Sequence, residues 1–160
     1  MKNRKKIRNI AVGASVAALY VVLTYLANVL GLASGAVQVR LSEILTVMPV
    51  LTPAAIPGLF VGCLLANVLT GCALWDVIFG SIATLLGAVG TYLLRKYELL
   101  AVLPPIIANA VIVPFVLLFV YSLEGTYLYF FATVGIGEII SCGIFGTILL
   151  KSFKNSRFKL

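Results

Sequence analysis

The sequence contains no histidine and only five acidic residues among its 160. Without an imidazole, the usual general base for a serine or cysteine nucleophile and the commonest metal ligand are both missing. No glycine-rich Walker motif for binding nucleotide phosphates occurs either, so we do not expect the chain to hydrolyse ATP itself. We therefore expect a protein that is not an enzyme and that needs no cofactor and no metal.

Charge of either sign is scarce, at 11% of residues, whereas hydrophobic residues make up 62%. A soluble domain carries roughly 25% charged residues. A chain this apolar would have too little polar surface to stay dispersed in water, and its natural solvent is lipid. The predicted fold class is an all-α integral membrane protein, with one membrane-embedded substrate-binding domain over residues 1–160.

Cysteine is also rare. Cys63, Cys72 and Cys142 lie far apart, in or next to apolar runs. Their spacing matches neither a disulfide framework nor a metal site. We expect them to be packing residues or inert thiols.

The apolar runs predict six transmembrane helices, over residues 10–30, 38–51, 54–69, 76–94, 99–121 and 127–150. A helix that spans the bilayer needs about 20 apolar residues, so the second and third are short. Prolines every four residues, at Pro49, Pro53 and Pro57, place a helix boundary near Thr52-Pro53. The first run is longer than a signal-peptide core of roughly 7–15 residues, so we expect a retained helix despite the cleavage-like Leu32-Ala33-Ser34.

The basic residues mark one side of the membrane. Eleven of the twelve lie before the first run, at Arg95-Lys96, or after the last run. Cytoplasmic segments carry an excess of Lys and Arg, which predicts that both termini and the Arg95-Lys96 loop are cytoplasmic. Four predicted helices precede that loop and two follow it. Both numbers are even, as they must be if the loop and both termini lie on the same side of the membrane. The expected location is a bacterial cell membrane crossed several times, with basic cytoplasmic tails at 1–9 and 151–160 and no nucleic-acid partner.

Charged residues inside the apolar runs indicate function, because each costs about 2.5–3.5 kcal/mol to insert centrally. Counted by depth along the predicted helices, they converge in the outer half of the domain, where a substrate pocket would open. Three acids against one base favour a ligand that is rich in N–H donors or positively charged. The candidate substrate-binding residues are Glu43, Asn67, Asp76, Glu138, Arg40 and Trp75.

Simpler roles remain open for most of these residues. Arg40 and Glu43 are three apart and can pair with each other. Asp76 can cap the helix that it opens, and Asn67 can bridge two helices. Trp75 can either stack on a flat ligand or belong, with the tyrosines at other helix ends, to an interfacial aromatic belt.

The first helix carries small residues at a spacing of four, which lets helix backbones approach closely in lipid. The pairs are Ala11/Ser15, Gly13/Ala17 and Ala14/Ala18. They lie on more than one face of the helix. Packing inside the domain and contact with another protein are therefore both open.

Three blocks of sequence resemble the QueT transporter family. They are Val39-Arg40-Leu41-Ser42-Glu43-Ile44-Leu45-Thr46-Val47-Met48-Pro49, the run Pro57-Gly58-Leu59-Phe60-Val61-Gly62-Cys63-Leu64-Leu65-Ala66-Asn67, and Asp76-Val77-Ile78-Phe79-Gly80-Ser81-Ile82-Ala83-Thr84-Leu85. Gly137-Glu138 in the last helix agrees. The Arg-Leu-Ser-Glu and Asp-x-x-Phe-Gly-Ser patterns are the more specific parts, and the resemblance extends over nearly the whole chain.

The resemblance implies a six-helix substrate-binding subunit, or S component, of an energy-coupling-factor (ECF) transporter. Its implied substrate is the queuosine precursor 7-aminomethyl-7-deazaguanine, and its implied partners are a transmembrane coupling subunit and two ATPase subunits. Such subunits contact the coupling subunit through small residues of helix 1. Ala14 and Ala18 match that pattern, with Ala11 and Ser15 as an alternative register.

A stand-alone channel or small exporter for cations is the main alternative, because the same acids would then line a cation path. Dependence on partner ATPases distinguishes the two, since a channel conducts alone. A membrane enzyme is a third class, for which the chain lacks catalytic couples.

Overall fold

The structure, a computed structural model, describes residues 2–32 and 38–155, and these are helical with no strand. The elements are α1 (Lys2–Val29), a 3₁₀ helix (Leu41–Val50), α2 (Ala55–Leu69), α3 (Leu74–Leu93), α4 (Leu103–Phe119), α5 (Tyr127–Glu138), a π-helical stretch (Ile139–Gly146) and α6 (Thr147–Asn155). The last three form one continuous helix. The all-α prediction is thus confirmed for the described residues.

By length and apolar composition, three helices of the described ranges are able to cross a membrane: Asn3–Val29, Leu74–Leu93 and Tyr127–Asn155. The remaining helices, which include Ala55–Leu69 and Leu103–Phe119, are apolar but have 10–17 residues. The chain therefore has the make-up of a membrane protein.

Several predicted boundaries move. Helix α1 begins at Lys2, so the predicted basic tail is helical from that residue. Helix α3 begins at Leu74, two residues before the predicted start. Helix α4 begins at Leu103 rather than 99. Proline is favoured in the first helical turn, where its missing N–H is not needed, and Pro104 and Pro105 occupy that turn.

The connection predicted over residues 31–37 falls largely on 33–37, which lie outside the described residues, as do two positions of the cleavage-like motif. The predicted boundary at Thr52-Pro53 is confirmed. It lies between the end of the 3₁₀ helix and the start of α2.

The second predicted helix is a 3₁₀ helix, and it runs through the centre of the domain. A 3₁₀ helix rises about 2.0 Å per residue, so ten residues reach about 20 Å where an α-helix would reach about 15 Å. Its three-residue period places Glu43, Thr46 and Pro49 on one face, and all three are buried. The Thr46 hydroxyl donates to the Glu43 carbonyl at 2.6 Å. A polar strip is thereby held inside the protein.

Helices α1 and α2 pack through glycines. A Cβ added at Gly58 would overlap the Gly13 carbonyl oxygen, and one added at Gly62 would lie 2.8 Å from the Tyr20 Cβ and 3.0 Å from the Ala17 Cα. The Gly13/Ala17 pair is therefore used inside the domain. The other small residues of the helix are exposed: Ala11, Ala14, Ser15 and Ala18.

Contacts at the two ends of the bundle show which connecting segments lie at the same end. At one end, Lys154 of α6 forms an ion pair with Glu98, which lies between α3 and α4. Phe153 packs on the same core cluster as Val12 of α1. At the other end, the Ala73 N–H donates to the Tyr121 hydroxyl at 3.2 Å. The segment 94–102 thus shares an end with α6, and the 70–73 and 120–126 connections share the opposite end.

Candidate functional site

A cavity of about 260 Å³ lies at the end of the bundle where α3 begins, and polar side chains make up a large part of its otherwise apolar wall. The residues that line it are Tyr20, Thr24, Ala27, Asn28, Gln38, Arg40, Ser42, Asn67, Thr70, Cys72, Asp76, Val113, Leu117, Tyr121 and Leu123. They come from α1, α2, α3, α4 and the segments between them. Hydroxyl, amide and charged groups therefore converge there from much of the bundle.

Asp76 is the acid of this cavity. Its side chain is buried, with 6% of its surface exposed. The Tyr121 hydroxyl donates to Asp76 Oδ2 at 2.8 Å, whereas Oδ1 has no hydrogen-bond partner. Partial burial raises the pKa of Tyr121, which keeps the phenol protonated as a donor. The residue before α3 is Ala73, which makes no side-chain cap bond, so capping by Asp76 does not explain its position.

Arg40 faces the same cavity from the residue that precedes the 3₁₀ helix. Asp76 is its strongest electrostatic neighbour. Within the described part of the chain, Arg40 has no acid within 4 Å, so the pair with Glu43 that the spacing allowed does not form. The cavity therefore offers both a cationic donor group and a carboxylate oxygen that lacks a partner.

Asn67 completes this set of polar groups. Its amide Nδ2 donates to the Cys63 sulfur at 3.6 Å. A Cβ added at Gly80 would lie 3.1 Å from that Nδ2 atom and 3.4 Å from Asp76 Oδ1. The glycine leaves room for both polar side chains, and any larger residue would crowd them. Asn67 and Asp76 are thus close neighbours across α2 and α3.

A second group of polar residues lies deeper, and we call Glu43, Asn109, Glu138 and Ser141 the lower cluster. All four are buried. Tyr20 donates to Glu43 Oε1, and the Asn109 amide donates to Glu43 Oε2 at 3.4 Å. Glu138 Oε2, Asn109 Oδ1 and Ser141 Oγ have no hydrogen-bond partner in the described residues. Buried polar atoms are normally paired, so three unpaired oxygens in one region require an explanation.

Comparison with known families identifies the chain. The sequence model described as QueT transporter matches residues 10–155. The chain belongs to the QueT transporter family. A search of curated proteins and a search of solved structures each found no match. Family membership makes the chain a membrane transport protein, in agreement with its apolar helices.

For this QueT family member, the structure separates the six candidate site residues into three groups. Arg40, Asn67 and Asp76 line the cavity. Glu43 and Glu138 lie in the lower cluster and do not line it. Trp75 lies outside, with 56% of its surface exposed and its ring centroid 5.8 Å from that of Phe79. An exposed aromatic ring near the end of an apolar helix is typical of an interfacial belt.

Two tyrosines that were not among the predicted site residues, Tyr20 and Tyr121, also line the cavity. Tyr121 lay at a predicted helix end and was assigned to the belt, yet its hydroxyl contacts Asp76. Tyr20 lies nine residues before the end of α1, about 13 Å deeper than an interfacial position. A tyrosine at that depth must find a partner for its hydroxyl, and this signal could have identified it.

The cysteines are free thiols. Cys63 and Cys142 are buried, and Cys72 is half-buried at the cavity wall. The Thr84 hydroxyl donates to Cys63 Sγ at 3.4 Å, and the Thr46 hydroxyl, which donates to the Glu43 carbonyl, lies 3.1 Å from Cys142 Sγ. The prediction that they are packing residues holds for the two buried ones.

Proposed function

We propose that this chain is the S component of an ECF transporter and that it captures 7-aminomethyl-7-deazaguanine in the cavity of Arg40 and Asp76. The observation that carries the proposal is the unpartnered Oδ1 atom of Asp76 in a cavity that Arg40 also lines, at one end of the bundle. Membership of the QueT family supports the substrate class.

The chemistry of the cavity is complementary to a guanine-like edge. That edge presents adjacent N–H donors and one carbonyl acceptor. Asp76 Oδ1 can accept from the donors, and the Arg40 guanidinium can donate to the carbonyl. The Asn67 side-chain amide has both an N–H donor and a carbonyl acceptor, so it can form a hydrogen bond with a further donor or acceptor of the base. The cavity, at about 260 Å³, suits a small bicyclic base, because pockets for larger ligands begin at roughly 300 Å³.

We also propose six membrane crossings with both termini in the cytoplasm of a bacterial cell. The ion pair between Lys154 and Glu98 supports this topology, because it groups the C-terminal helix with the basic connection at Arg95-Lys96. The 3₁₀ helix supports it too, since its longer rise lets a short segment reach about 20 Å into the bilayer.

Cysteine labelling tests this topology. On a Cys72→Ser background, an impermeant thiol reagent added outside should modify Glu124→Cys and not Lys96→Cys, since both positions are exposed but lie at opposite ends. We choose Glu124 rather than Gly125, whose φ of +158° and nearness to Phe130 disfavour a side chain. Modification of Lys96→Cys from outside in intact cells would contradict the six-crossing topology.

The proposed partners are a transmembrane coupling subunit and two ATPases. The exposed small residues of α1 support a helix–helix contact with the coupling subunit. The alternative function, a cation channel or exporter, draws on the two acids of the lower cluster. It needs no partner.

Import by reconstituted components separates these functions. Proteoliposomes with this chain and a coupling module should accumulate labelled 7-aminomethyl-7-deazaguanine only when ATP is supplied to the ATPases. Vesicles with the chain alone should show neither import of the base nor cation conductance. Conductance by the chain alone would contradict the proposal in favour of the channel.

A further inference from the structure

The lower cluster lies directly beneath the cavity. Tyr20 lines the cavity and donates to Glu43, so this one side chain contacts both the cavity and that carboxylate. Ser42, which precedes Glu43, also lines the cavity, and so does Val113, one helical turn from Asn109. The two polar regions are therefore adjacent layers of one structure.

The two layers differ in charge. The cavity holds one base and one acid, Arg40 and Asp76. The lower cluster holds two acids, Glu43 and Glu138. Arg40 is the base that acts on both electrostatically, but within the described residues neither acid has a basic group within 4 Å. Its three unpartnered atoms are all oxygens. A buried site with excess acid and free oxygen acceptors has the chemistry that binds a cationic donor.

We infer that the lower cluster takes the protonated amine of the substrate, with Glu138 as its principal partner, while the ring stays in the cavity against Asp76. The inference rests on the proposed function. Both oxygens of Glu43 already accept hydrogen bonds, from Tyr20 and from Asn109, whereas Glu138 Oε2 is free. The amine reaches the cluster past the Tyr20 side chain.

The helix around Glu138 has the form expected of a site. A π-helical stretch begins at the next residue and includes Ser141. Such stretches occur frequently at functional sites, because the wider turn displaces side chains from their regular positions. Asn109 Oδ1 and Ser141 Oγ are then available as second and third acceptors for an ammonium group, which has three donors.

A purely structural role for Glu138 predicts something different. A protonated Glu138 would donate to Asn109 Oδ1 and satisfy the unpaired oxygens without any ligand. Its replacement would then weaken the fold, or weaken every ligand alike. Only a contact with the amine makes the effect depend on whether the ligand carries an amine.

The experiment is a binding titration of the folded, detergent-purified chain with two ligands, 7-aminomethyl-7-deazaguanine and 7-methyl-7-deazaguanine. The second keeps the ring and lacks the ammonium. The parent chain should bind the aminomethyl ligand about tenfold to hundredfold more tightly. Glu138→Gln should lose most of that preference while its affinity for the methyl ligand changes by less than about threefold. Asp76→Asn, which acts on the ring, should weaken both ligands alike.

Each contrary result has a distinct meaning. Equal losses for both ligands in Glu138→Gln, or no loss for either, would overturn the inference in favour of a structural role. Equal affinity of the parent chain for the two ligands would also overturn the inference. This comparison needs no variant, so it can be made even if Glu138→Gln does not fold. Binding of neither ligand by the parent would overturn the proposed function together with the inference.

Discussion

Replacing Asp76 by asparagine should weaken binding of 7-aminomethyl-7-deazaguanine by about tenfold to hundredfold. The carboxylate Oδ1 is buried, unpartnered and part of the cavity that Arg40 also lines, so a ligand N–H is its natural partner. Hydrogen bonds to charged groups contribute about 1.5–3 kcal/mol, and about 1.4 kcal/mol corresponds to a tenfold change in affinity. Asparagine keeps the size of the side chain, but it either presents a donor to a ligand donor or accepts without charge.

The matched control is Glu124→Gln, which removes a carboxylate at the same end of the bundle from an exposed position that does not line the cavity. Its affinity should equal that of the parent. Asparagine still offers one side-chain oxygen to the Tyr121 hydroxyl, so we expect Asp76→Asn to fold. A thermal unfolding measurement checks this. A folded Asp76→Asn protein with parental affinity would remove Asp76 from the site.

Replacing Ala18 by tryptophan should abolish import while leaving ligand binding intact. Ala18 is exposed on the small face of α1, whereas the Gly13/Ala17 pair packs against α2. In lipid, helices associate through close backbone approach, and an indole on that face holds the partner helix away. Import with the coupling module should fall more than tenfold, and the module should no longer co-purify with the variant.

The control for bulk is Leu86→Trp, at an exposed position on α3 that lies away from the small face. It should import normally. Ala14→Trp should behave like Ala18→Trp. If Ala18→Trp instead assembled normally and lost ligand binding, the assignment of α1 to partner contact would be reversed.

The fold could be predicted from the sequence where lipid imposes simple rules. Apolar runs of sufficient length must be helices, since backbone groups in lipid have no other partners. Prolines placed the boundary near Thr52-Pro53 correctly. The 3₁₀ geometry of Leu41–Val50 was not predictable, because its short apolar pattern is compatible with either helix type. That geometry determines how deep Glu43 lies.

The site could be predicted only in part. Charges in apolar runs are costly, which identified Arg40 and Asp76 without a structure. Their separation from Glu43 and Glu138 into two layers depends on side-chain packing around Tyr20, which has no sequence signature. The direction in which Trp75 points is likewise a tertiary property. Although Trp75 is next to Asp76 in sequence, its ring lies outside the cavity.

The most direct test of the account is a calorimetric titration of the isolated parent chain with 7-aminomethyl-7-deazaguanine, guanine and riboflavin. We expect saturable binding of the first at one molecule per chain, weaker binding of guanine, which has the edge but no amine, and no binding of riboflavin. No binding of the aminomethyl ligand, or equal binding of all three, would contradict the claim that the cavity of Arg40 and Asp76 recognises this substrate.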